Sequence, residues 1–178
     1  MHGSVMRWVQ AVMKPEEIAG KRVIEVGSYD VNGTSRSVLA QFGPSEWIGA
    51  DMREGPNVDL VCDVKELVPV FPAGSFDVVI STEMLEHCED WRLAVYNLKA
   101  LPKPGGLLLV TARGPGMVYH PEEGNYGDYW RFTLEDVARI FADFRIEDLR
   151  GDPELPGFLL KCWKPELLSS IEVEAIHG

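Results

Sequence analysis

The feature that most constrains the fold is the segment of residues 23–33, which reads VIEVGSYDVNG. It begins as a short apolar run, passes an acidic residue and Gly27, and continues into a polar turn that ends at Gly33. This order is typical of a buried parallel strand whose carboxyl end presents a loop to a nucleotide-like ligand. The dinucleotide fingerprint requires a second glycine two residues after the first, and this chain has Tyr29 there. The loop therefore favours a nucleoside ligand that lacks a pyrophosphate over NAD.

Strands and helices alternate along the rest of the chain. Short apolar runs bounded by turn residues predict strands, and apolar residues spaced three or four apart predict helices. The link of residues 151–156 is so short that it can join only antiparallel neighbours. We therefore predict an α/β, Rossmann-like, doubly wound sheet of seven strands that is mostly parallel, with one antiparallel strand near the C-terminus. The predicted strands are 23–26, 47–50, 58–62, 76–81, 106–111, 145–149 and 157–163, and the main predicted helices are 1–18, 35–42, 91–101 and 133–144.

The charge balance argues against a nucleic-acid partner. The chain has 17 Lys and Arg residues against 28 Asp and Glu residues, which gives a formal net charge of −11 at pH 7. An acidic surface repels phosphate backbones, and the Lys and Arg residues are scattered along the sequence. We therefore expect no binding to DNA or RNA.

Length, hydropathy and cysteine content limit the remaining classes. A chain of 178 residues is most simply one domain, 1–178, with an N-terminal helix in residues 1–20. No apolar run approaches the length of a membrane span, and the N-terminus lacks a signal-peptide pattern. The three cysteines are odd in number and form no C-x-x-C pair, which fits free thiols in a reducing compartment. We therefore expect a cytoplasmic protein without membrane attachment.

Five motifs follow one another in a recognisable order. They are VIEVGSYDVNG at 23–33, WIGADM at 47–52, LVCDV at 60–64, FDVVISTEMLEH at 76–87 and LPKPGGLLLV at 101–110. On these motifs, which lie within residues 21–163, the chain resembles the class I S-adenosylmethionine-dependent methyltransferases, and among them the small-molecule enzymes. The resemblance implies S-adenosyl-L-methionine as the cofactor and a small molecule as the acceptor. That family usually has a second glycine where Tyr29 stands, so the departure concerns the shape of the first loop.

The resemblance also implies where the cofactor is held. Glu25 and Gly27 match positions at its methionine end, because a carboxylate there accepts hydrogen bonds from an ammonium group or from loop amides. Asp51 matches the carboxylate that binds the ribose hydroxyls, and Asp63 matches the residue that accepts the adenine amino hydrogens. Asp63 is alternatively a helix cap, and Met52 is either a thioether packed on adenine or a core residue. The implied cofactor-binding residues are Glu25, Gly27, Ser28, Gly33, Asp51, Met52, Asp63, Val64, Ser81 and Thr82.

Two histidines are candidate catalytic bases. His87 lies four residues after Glu83, so the two side chains share one face if that segment is helical. Two ligands are too few for a metal site, so we predict no metal and a general-base role for His87. The alternative is that His87 packs beneath the site and fixes a loop. His120, which lies in a long loop, is the second candidate base.

The segment 114–132 is predicted to be a substrate loop. It is long for a connection and rich in aromatic residues, as lids and binding loops are. Tyr126, Tyr129 and Trp130 are predicted to form the wall of the acceptor pocket, and Arg131 to bind a carboxylate or phosphate. The alternative for Trp130 is that it packs the following helix against the sheet.

These patterns predict methyl transfer to a small or medium-sized metabolite by in-line displacement at the sulfonium methyl, with the protein aligning the nucleophile. Relatives that methylate amino groups of adenine or cytosine have an Asn/Asp-Pro-Pro-aromatic motif where this chain has Ser-Thr-Glu-Met at 81–84. A short-chain NAD oxidoreductase requires a Tyr-x-x-x-Lys pair, which this chain lacks. The remaining alternative is a methyltransferase-like protein that binds the cofactor without turnover or serves as a partner subunit.

Overall fold

A seven-stranded sheet organises the part of the chain that the computed structural model describes, residues 1–119 and 127–166. Its strand order is β3-β2-β1-β4-β5-β7-β6. The strands are β1 Arg22–Val26, β2 Glu46–Asp51, β3 Leu60–Val61, β4 Phe76–Thr82, β5 Pro102–Arg113, β6 Arg145–Gly151 and β7 Gly157–Trp163.

The strand directions confirm the predicted sheet. β1 pairs in parallel with β2 and β4, and the pairs β2–β3 and β4–β5 are also parallel. β7 runs antiparallel to both of its neighbours, β5 and β6. The reversed strand is therefore β7, which follows β6 after the short link that required antiparallel neighbours.

Helices cover both faces of the sheet. In β5, Leu107 and Leu109 belong to one apolar cluster, whereas Leu108 and Val110 belong to the other. Successive side chains of a strand point to opposite faces, so each cluster is the core on one face. The helices are α1 Gly3–Val12, α2 Pro15–Ile18, α3 Ser35–Leu39, α4 Leu67–Val70, α5 Trp91–Ala100 and α6 Leu134–Ile140, with 3₁₀ turns at Ala40–Phe42, Val64–Glu66 and Leu85–His87. The cluster with Leu107 and Leu109 includes residues of α1 to α3. The cluster with Leu108 and Val110 includes residues of α4 to α6.

Several predicted elements differ from the structure in their bounds, among them the strand predicted at 106–111, which extends over Pro102–Arg113. The N-terminal helix is two helices, because the chain is extended at Met13 and Lys14 and Pro15 starts α2, where its missing N–H costs nothing. β3 has two residues instead of the predicted 58–62, and it is the edge strand beside β2. The helix predicted at 133–144 ends earlier, at Ile140. No helix within the described residues is long and apolar enough to cross a membrane.

The sheet has its switch point between β1 and β4. From β1 the chain proceeds to β2 and β3 on one side, and then returns to place β4 and β5 on the other. In open α/β sheets, ligands bind in the crevice beyond the carboxyl ends of the strands at this point. The strand order therefore directs the search for a site to the residues that follow β1, β2 and β4.

Candidate active site

A cleft of about 940 Å³ lies at the switch point. This is the upper part of the range of about 300–1,000 Å³ that is typical of small-molecule pockets. The cleft brings together predicted site residues from five separate segments of the chain. Those that line it are Glu25, Gly27, Gly33, Asp51, Met52, Asp63, Val64, Thr82, His87 and Tyr129.

Glu25 organises the floor of the cleft. Its carboxylate accepts hydrogen bonds from the backbone N–H of Ser35 at 2.7 Å and from the side-chain amide of Asn57 at 3.2 Å. The side chain is buried, and burial raises the pKa of this carboxyl group although these hydrogen bonds oppose the shift. Glu25 therefore joins the end of β1 to the start of α3 and to the connection between β2 and β3.

Gly27 leaves room where β1 ends. Its φ of +79° lies in the left-handed region, which favours glycine. A Cβ at this position would lie 2.7 Å from Cβ and Cγ of Met84, which follows β4. The backbone therefore forms a cradle that any side chain would fill, as expected where a ligand approaches the main chain closely.

Asp51 has capacity for a ligand beyond its local bonds. Its Oδ2 accepts a hydrogen bond from the backbone N–H of Tyr29 at 3.1 Å, and its Oδ1 accepts one from the N–H of Arg53 at 3.0 Å. A carboxylate has about four acceptor sites, so two remain. The side chain is 10% exposed and borders the cleft. The remaining acceptor sites of this carboxylate fit the two hydroxyl groups of a ribose as donors.

Tyr29 packs into a recess instead of blocking the first loop. A Cβ on Gly55 would lie 2.2 Å from the Tyr29 ring, so glycine at that position admits the ring. The guanidinium of Arg53 lies 4.3 Å from the ring centroid on its face. The chain therefore accommodates a tyrosine where the family usually has glycine.

The adenine-side residues follow β2 and β3. Asp63 accepts a hydrogen bond from the N–H of Lys65 at 2.9 Å, so it caps a 3₁₀ turn as well as lining the cleft. The cap residue and the predicted ligand residue are thus the same residue, and the structure shows the cap. Met52 is 55% exposed at the cleft, so the alternative that it is a core residue is wrong.

Two predicted cofactor residues lie behind the cleft wall. Ser28 and Ser81 are buried, and neither is among the residues that line the cleft. Among the described residues, neither hydroxyl has a hydrogen-bond partner. Cofactor contact by these two serines stays a prediction.

Glu83 and His87 do not share a helical face, so that expectation is wrong. Glu83 has a φ of +53°, and its N–H donates to the carbonyl of Thr111 at 2.9 Å, which prolongs the β4–β5 pairing. Only a single 3₁₀ turn, Leu85–His87, follows. His87 borders the cleft, and its Nδ1 lies 2.9 Å from the carbonyl oxygen of Gly127. His87 therefore also ties down the substrate loop, as its alternative interpretation held.

Cys88 is not placed to act as a nucleophile. Burial raises the pKa of its thiol to about 12. A neutral thiol is a poor nucleophile, because the thiolate is the reactive form. The cysteine lines the cleft as a packing residue, with its Sγ 3.0 Å from Sδ of Met84.

The described part of segment 114–132, the predicted substrate loop, divides into a cleft-facing part and an anchor. Gly127 and Tyr129 line the cleft. Trp130 donates its Nε1–H to the carbonyl of Glu89 at 3.0 Å and packs edge-to-face on Trp91, whose ring centroid is 6.5 Å away. Trp130 therefore packs on α5, which precedes it, and not on the following helix that the alternative named, and it does not line the cleft.

Arg131 is also an anchor within this loop. Its guanidinium is paired with the carboxylate of Asp128, and it donates to the carbonyl oxygens of Met117 at 3.1 Å and Val118 at 3.0 Å. It does not line the cleft, so binding of a substrate carboxylate or phosphate by Arg131 has no support here. His120 and Tyr126 lie outside the described residues, so their predicted roles stay predictions.

The structure adds one group of residues that sequence reasoning missed. Met1 and His2 line the cleft, and His2 contacts Glu83 through both its backbone N–H, at 2.6 Å, and its ring Nδ1, at 2.7 Å. Behind them Arg113, buried at the end of β5, contacts Glu83 and lies 3.6 Å from Asp152. These partners are far apart in sequence, so no local pattern indicated the cluster.

Residues 1–150 match a protein family described as a methyltransferase domain. The chain belongs to this methyltransferase family. Its fold is that of the class I S-adenosylmethionine-dependent methyltransferases, and its cofactor is S-adenosyl-L-methionine. The donor set of the cleft fits that group, because carboxylates at the ends of neighbouring strands match an ammonium, a diol and an amino-purine, and the Gly27 cradle admits a close-lying ligand.

Several known proteins are similar to this methyltransferase. The polyketide synthase ThaQ of Burkholderia thailandensis is 27% identical over 76% of this chain, which spans only 7% of that protein's length. The 1,6-didemethyltoxoflavin-N1-methyltransferase of Burkholderia thailandensis, solved with 1,6-didemethyltoxoflavin and S-adenosylhomocysteine, has a TM-score of 0.71 at 18% identity, covering 91% of this chain and 79% of that one. A methyltransferase of Mesorhizobium loti has a TM-score of 0.68 at 15% identity, covering 91% and 98% of the two chains. At these identities the two structures show a shared fold.

Proposed function

We propose that this methyltransferase transfers the methyl group of S-adenosyl-L-methionine to a small or medium-sized metabolite. The observation that carries the proposal is the single cleft in which two groups of predicted residues meet. Glu25, Asp51 and Asp63 border one side, at the ends of β1, β2 and β3. His87 and Tyr129 border the other, after β4 and in the substrate loop.

The first side is suited to hold the cofactor. Asp51 accepts the two ribose hydroxyls with the acceptor sites that its local bonds leave open. Asp63 and the N–H of Val64 take the adenine edge, and Met52 packs on the ring face. Glu25 also shapes the loop, because its carboxylate accepts hydrogen bonds from Ser35 and Asn57.

The second side is suited to orient an acceptor. When bound, the cofactor supplies an electrophilic methyl group on a sulfonium, so the protein's task is to hold a nucleophile in line with it. Tyr129 offers a flat wall for that purpose, and it is 43% exposed with its N–H bound to the carbonyl of Glu86 at 2.8 Å. The anchoring contacts of Trp130 and Arg131 hold this part of the loop in position.

The volume of the cleft and the net charge of the chain support a small acceptor. The volume of about 940 Å³ is that of a small-molecule pocket, and the chain's charge of −11 disfavours a nucleic-acid substrate. The structural neighbour 1,6-didemethyltoxoflavin-N1-methyltransferase is solved with 1,6-didemethyltoxoflavin bound, and the other relative is named a polyketide synthase. Both lend support to the same acceptor class for this chain.

The test has two stages. Calorimetry is expected to show binding of S-adenosylhomocysteine and no comparable binding of NAD. Incubation with methyl-labelled S-adenosylmethionine and a panel of small acceptors is then expected to give labelled product and S-adenosylhomocysteine. Tight NAD binding would contradict the cofactor assignment. Cofactor binding without turnover on any acceptor would favour the alternative of a non-catalytic or partner-subunit role.

A further inference from the structure

We propose that the ring of Tyr29 holds the guanidinium of Arg53 away from Asp51, so that the carboxylate keeps its acceptor sites for the two ribose hydroxyls of the cofactor. Tyr29 is then a positioning residue that determines how strictly the site requires the ribose diol. This inference rests on the function proposed above and deepens it, because it names the residue that makes the cofactor site selective for ribose.

Three residues beside the cleft form a closed set of contacts. Tyr29 donates its backbone N–H to Oδ2 of Asp51 at 3.1 Å, and Arg53 donates its backbone N–H to Oδ1 at 3.0 Å. The side chains of the same two donors stack, with the guanidinium carbon 4.3 Å from the ring centroid. All three residues line the cleft. The two residues that orient the carboxylate through their backbones are therefore also coupled through their side chains.

Arg53 lies close enough to Asp51 to compete with a ligand for it. Its Nε is 3.7 Å from Oδ1, which is near enough for charge attraction but too far for a hydrogen bond. An arginine and a carboxylate that meet freely form two parallel hydrogen bonds. A pair of that kind would occupy both oxygens of Asp51. It would therefore take the acceptor sites that the ribose hydroxyls need.

The ring of Tyr29 competes with Asp51 for this guanidinium. A guanidinium is attracted by the negative charge of an aromatic face, and the attraction strengthens as water is removed. The side chain of Arg53 is only 25% exposed. Ion pairs near a protein surface contribute a similar, small free energy. The stack is therefore strong enough to keep the guanidinium on the ring and off the carboxylate.

The ring itself has a fixed position. A Cβ on Gly55 would lie 2.2 Å from Cε2 of Tyr29, so the ring lies directly against the backbone of Gly55. The residue after Tyr29 is tied to the same connection, because the N–H of Asp30 donates to the carbonyl of Pro56 at 3.1 Å. A side chain held at both its backbone and its ring is a firm support for a stacked guanidinium.

This arrangement gives a reason for the tyrosine in the first loop. Arg53 follows the ribose-side carboxylate by only two residues, so its guanidinium is always within reach of Asp51. A glycine at position 29, as the family usually has, would offer the guanidinium no aromatic face. The tyrosine therefore compensates for the arginine, and Gly55 supplies the space that the ring needs.

The consequence for binding is a selectivity for ribose. With Asp51 open, a ribose hydroxyl donates to a charged group, and an analogue without that hydroxyl leaves the carboxylate poorly paired. If the guanidinium closes on Asp51, the carboxylate is paired whether or not the hydroxyl is present. Removal of the Tyr29 ring is therefore expected to remove the preference for the hydroxyl, in addition to any general loss of affinity.

The first experiment compares ligands that differ in one hydroxyl. Calorimetry with the full chain measures the affinities for S-adenosylhomocysteine and for its 2′-deoxy and 3′-deoxy analogues. The wild type is expected to bind at least one analogue about tenfold or more weakly than the parent. Tyr29→Phe keeps the ring and is expected to keep this ratio, whereas Tyr29→Ala is expected to lower it to within about threefold. Tyr96→Ala, an exposed residue outside the cleft, is the control and is expected to keep the wild-type ratio.

The second experiment distinguishes positioning from a merely structural role. Arg53→Met is added to Tyr29→Ala, which removes the competing guanidinium while residue 29 still lacks its ring. The double variant is expected to recover the wild-type ratio to within about threefold, because Asp51 is open again. A merely structural role predicts no recovery, since a second substitution in the same contact loosens the site further. Should Tyr29→Ala not fold, Tyr29→Leu replaces it in both measurements, because leucine fills the recess without an aromatic face.

The outcomes separate this inference from the proposed function. An unchanged ratio in the folded Tyr29→Ala protein, or no recovery in the double variant, would overturn the role of Tyr29 and leave the function standing. Loss of the ratio in Tyr29→Phe would also overturn it, since the phenol hydroxyl would then be the active group. A wild type that binds S-adenosylhomocysteine and both analogues equally would overturn the ribose role of Asp51 on which the inference depends. Failure of the wild type to bind S-adenosylhomocysteine would instead contradict the function itself.

Discussion

The carboxylate of Glu25 accepts the backbone N–H of Ser35 at 2.7 Å, and this bond ties the end of β1 to the first turn of α3. The same carboxylate accepts a hydrogen bond from Asn57 at 3.2 Å. A residue expected to contact the cofactor therefore also binds two segments of the protein. These bonds fix the positions of α3 and of residues 52–59 around the end of β1.

The first prediction concerns pH-dependent stability. Burial raises the folded-state pKa of Glu25 above 4.5, the ordinary value for a glutamate side chain. A raised folded pKa gives stability that is fully present below the unfolded value and is lost as pH rises through the folded value. The free energy of unfolding of the wild type relative to Glu25→Gln is therefore expected to decrease as pH rises above 4.5. Urea unfolding of both proteins from pH 4 to pH 7.5 measures this difference, and a constant difference would contradict it.

The second prediction concerns Gly27. Alanine there must adopt a φ of +79° and place its Cβ 2.7 Å from Met84. The left-handed backbone alone costs about 1–3 kcal/mol, and the contact adds to it. Gly27→Ala is expected to lower both stability and S-adenosylhomocysteine affinity. Adding Met84→Ala removes the contact with Cγ and leaves the one with Cβ, so it is expected to recover only part of the steric cost, which a double-mutant cycle by thermal unfolding measures. Additive effects would show that the side chains do not meet.

The third prediction concerns Asp51. If its carboxylate holds the ribose hydroxyls, Asp51→Ala removes hydrogen bonds to a charged group, worth about 1.5–3 kcal/mol. Affinity for S-adenosylhomocysteine by calorimetry is then expected to fall by about 10- to 100-fold. Glu46→Gln, at the opposite end of β2 and paired with Arg22, is the control and is expected to bind normally. Equal affinity of both folded variants would remove Asp51 from the site.

The fourth prediction concerns Tyr129. Because it lines the cleft from the substrate loop, Tyr129→Ala is expected to lower kcat/KM for the acceptor by at least about tenfold, or about 1.4 kcal/mol. Cofactor affinity is expected to stay nearly intact. Tyr96→Ala, an exposed residue of α5 that does not line the cleft, serves as the control. Loss of cofactor affinity with unchanged acceptor kinetics would place the loop on the cofactor side.

The fifth prediction concerns nucleic acid. With a net charge of −11, the protein is expected to show no salt-sensitive binding to RNA or DNA. Fluorescence anisotropy with labelled RNA at low and at physiological salt measures this. Binding that weakens steeply as salt rises would reveal phosphate contacts and contradict the expectation.

The sheet was predictable because its signals are local. Each parallel strand is a short apolar run that ends at a polar or acidic residue, and the 151–156 link admits only one strand direction. Gly27, Asp51 and Asp63 follow three such runs, and parallel strands bring their carboxyl ends to one edge. Spacing along the chain therefore placed these three residues together before any tertiary contact was known.

The ends of elements were less predictable, because they depend on partners elsewhere. Glu83 has a left-handed backbone conformation, and its N–H donates to the carbonyl of Thr111 on β5. A local helical pattern cannot reveal this bond, because its partner lies on another strand. Trp130 and Arg131 are residue types that often bind ligands, but here Trp130 donates a hydrogen bond to Glu89 and Arg131 pairs with Asp128. Composition indicated which groups the loop offers, and tertiary packing decided which of them face the cleft.

By itself, the sequence determined the parallel sheet, its one reversed strand and the strand-end carboxylates that fit the cofactor, because hydrophobic periodicity and loop length act over short stretches of chain. Only the tertiary structure decided that Gly55 makes room for Tyr29, and that His2 meets Glu83 and Arg113 at the edge of the cleft. Those contacts join residues up to 111 positions apart. Their energy depends on geometry that exists only after the sheet has formed.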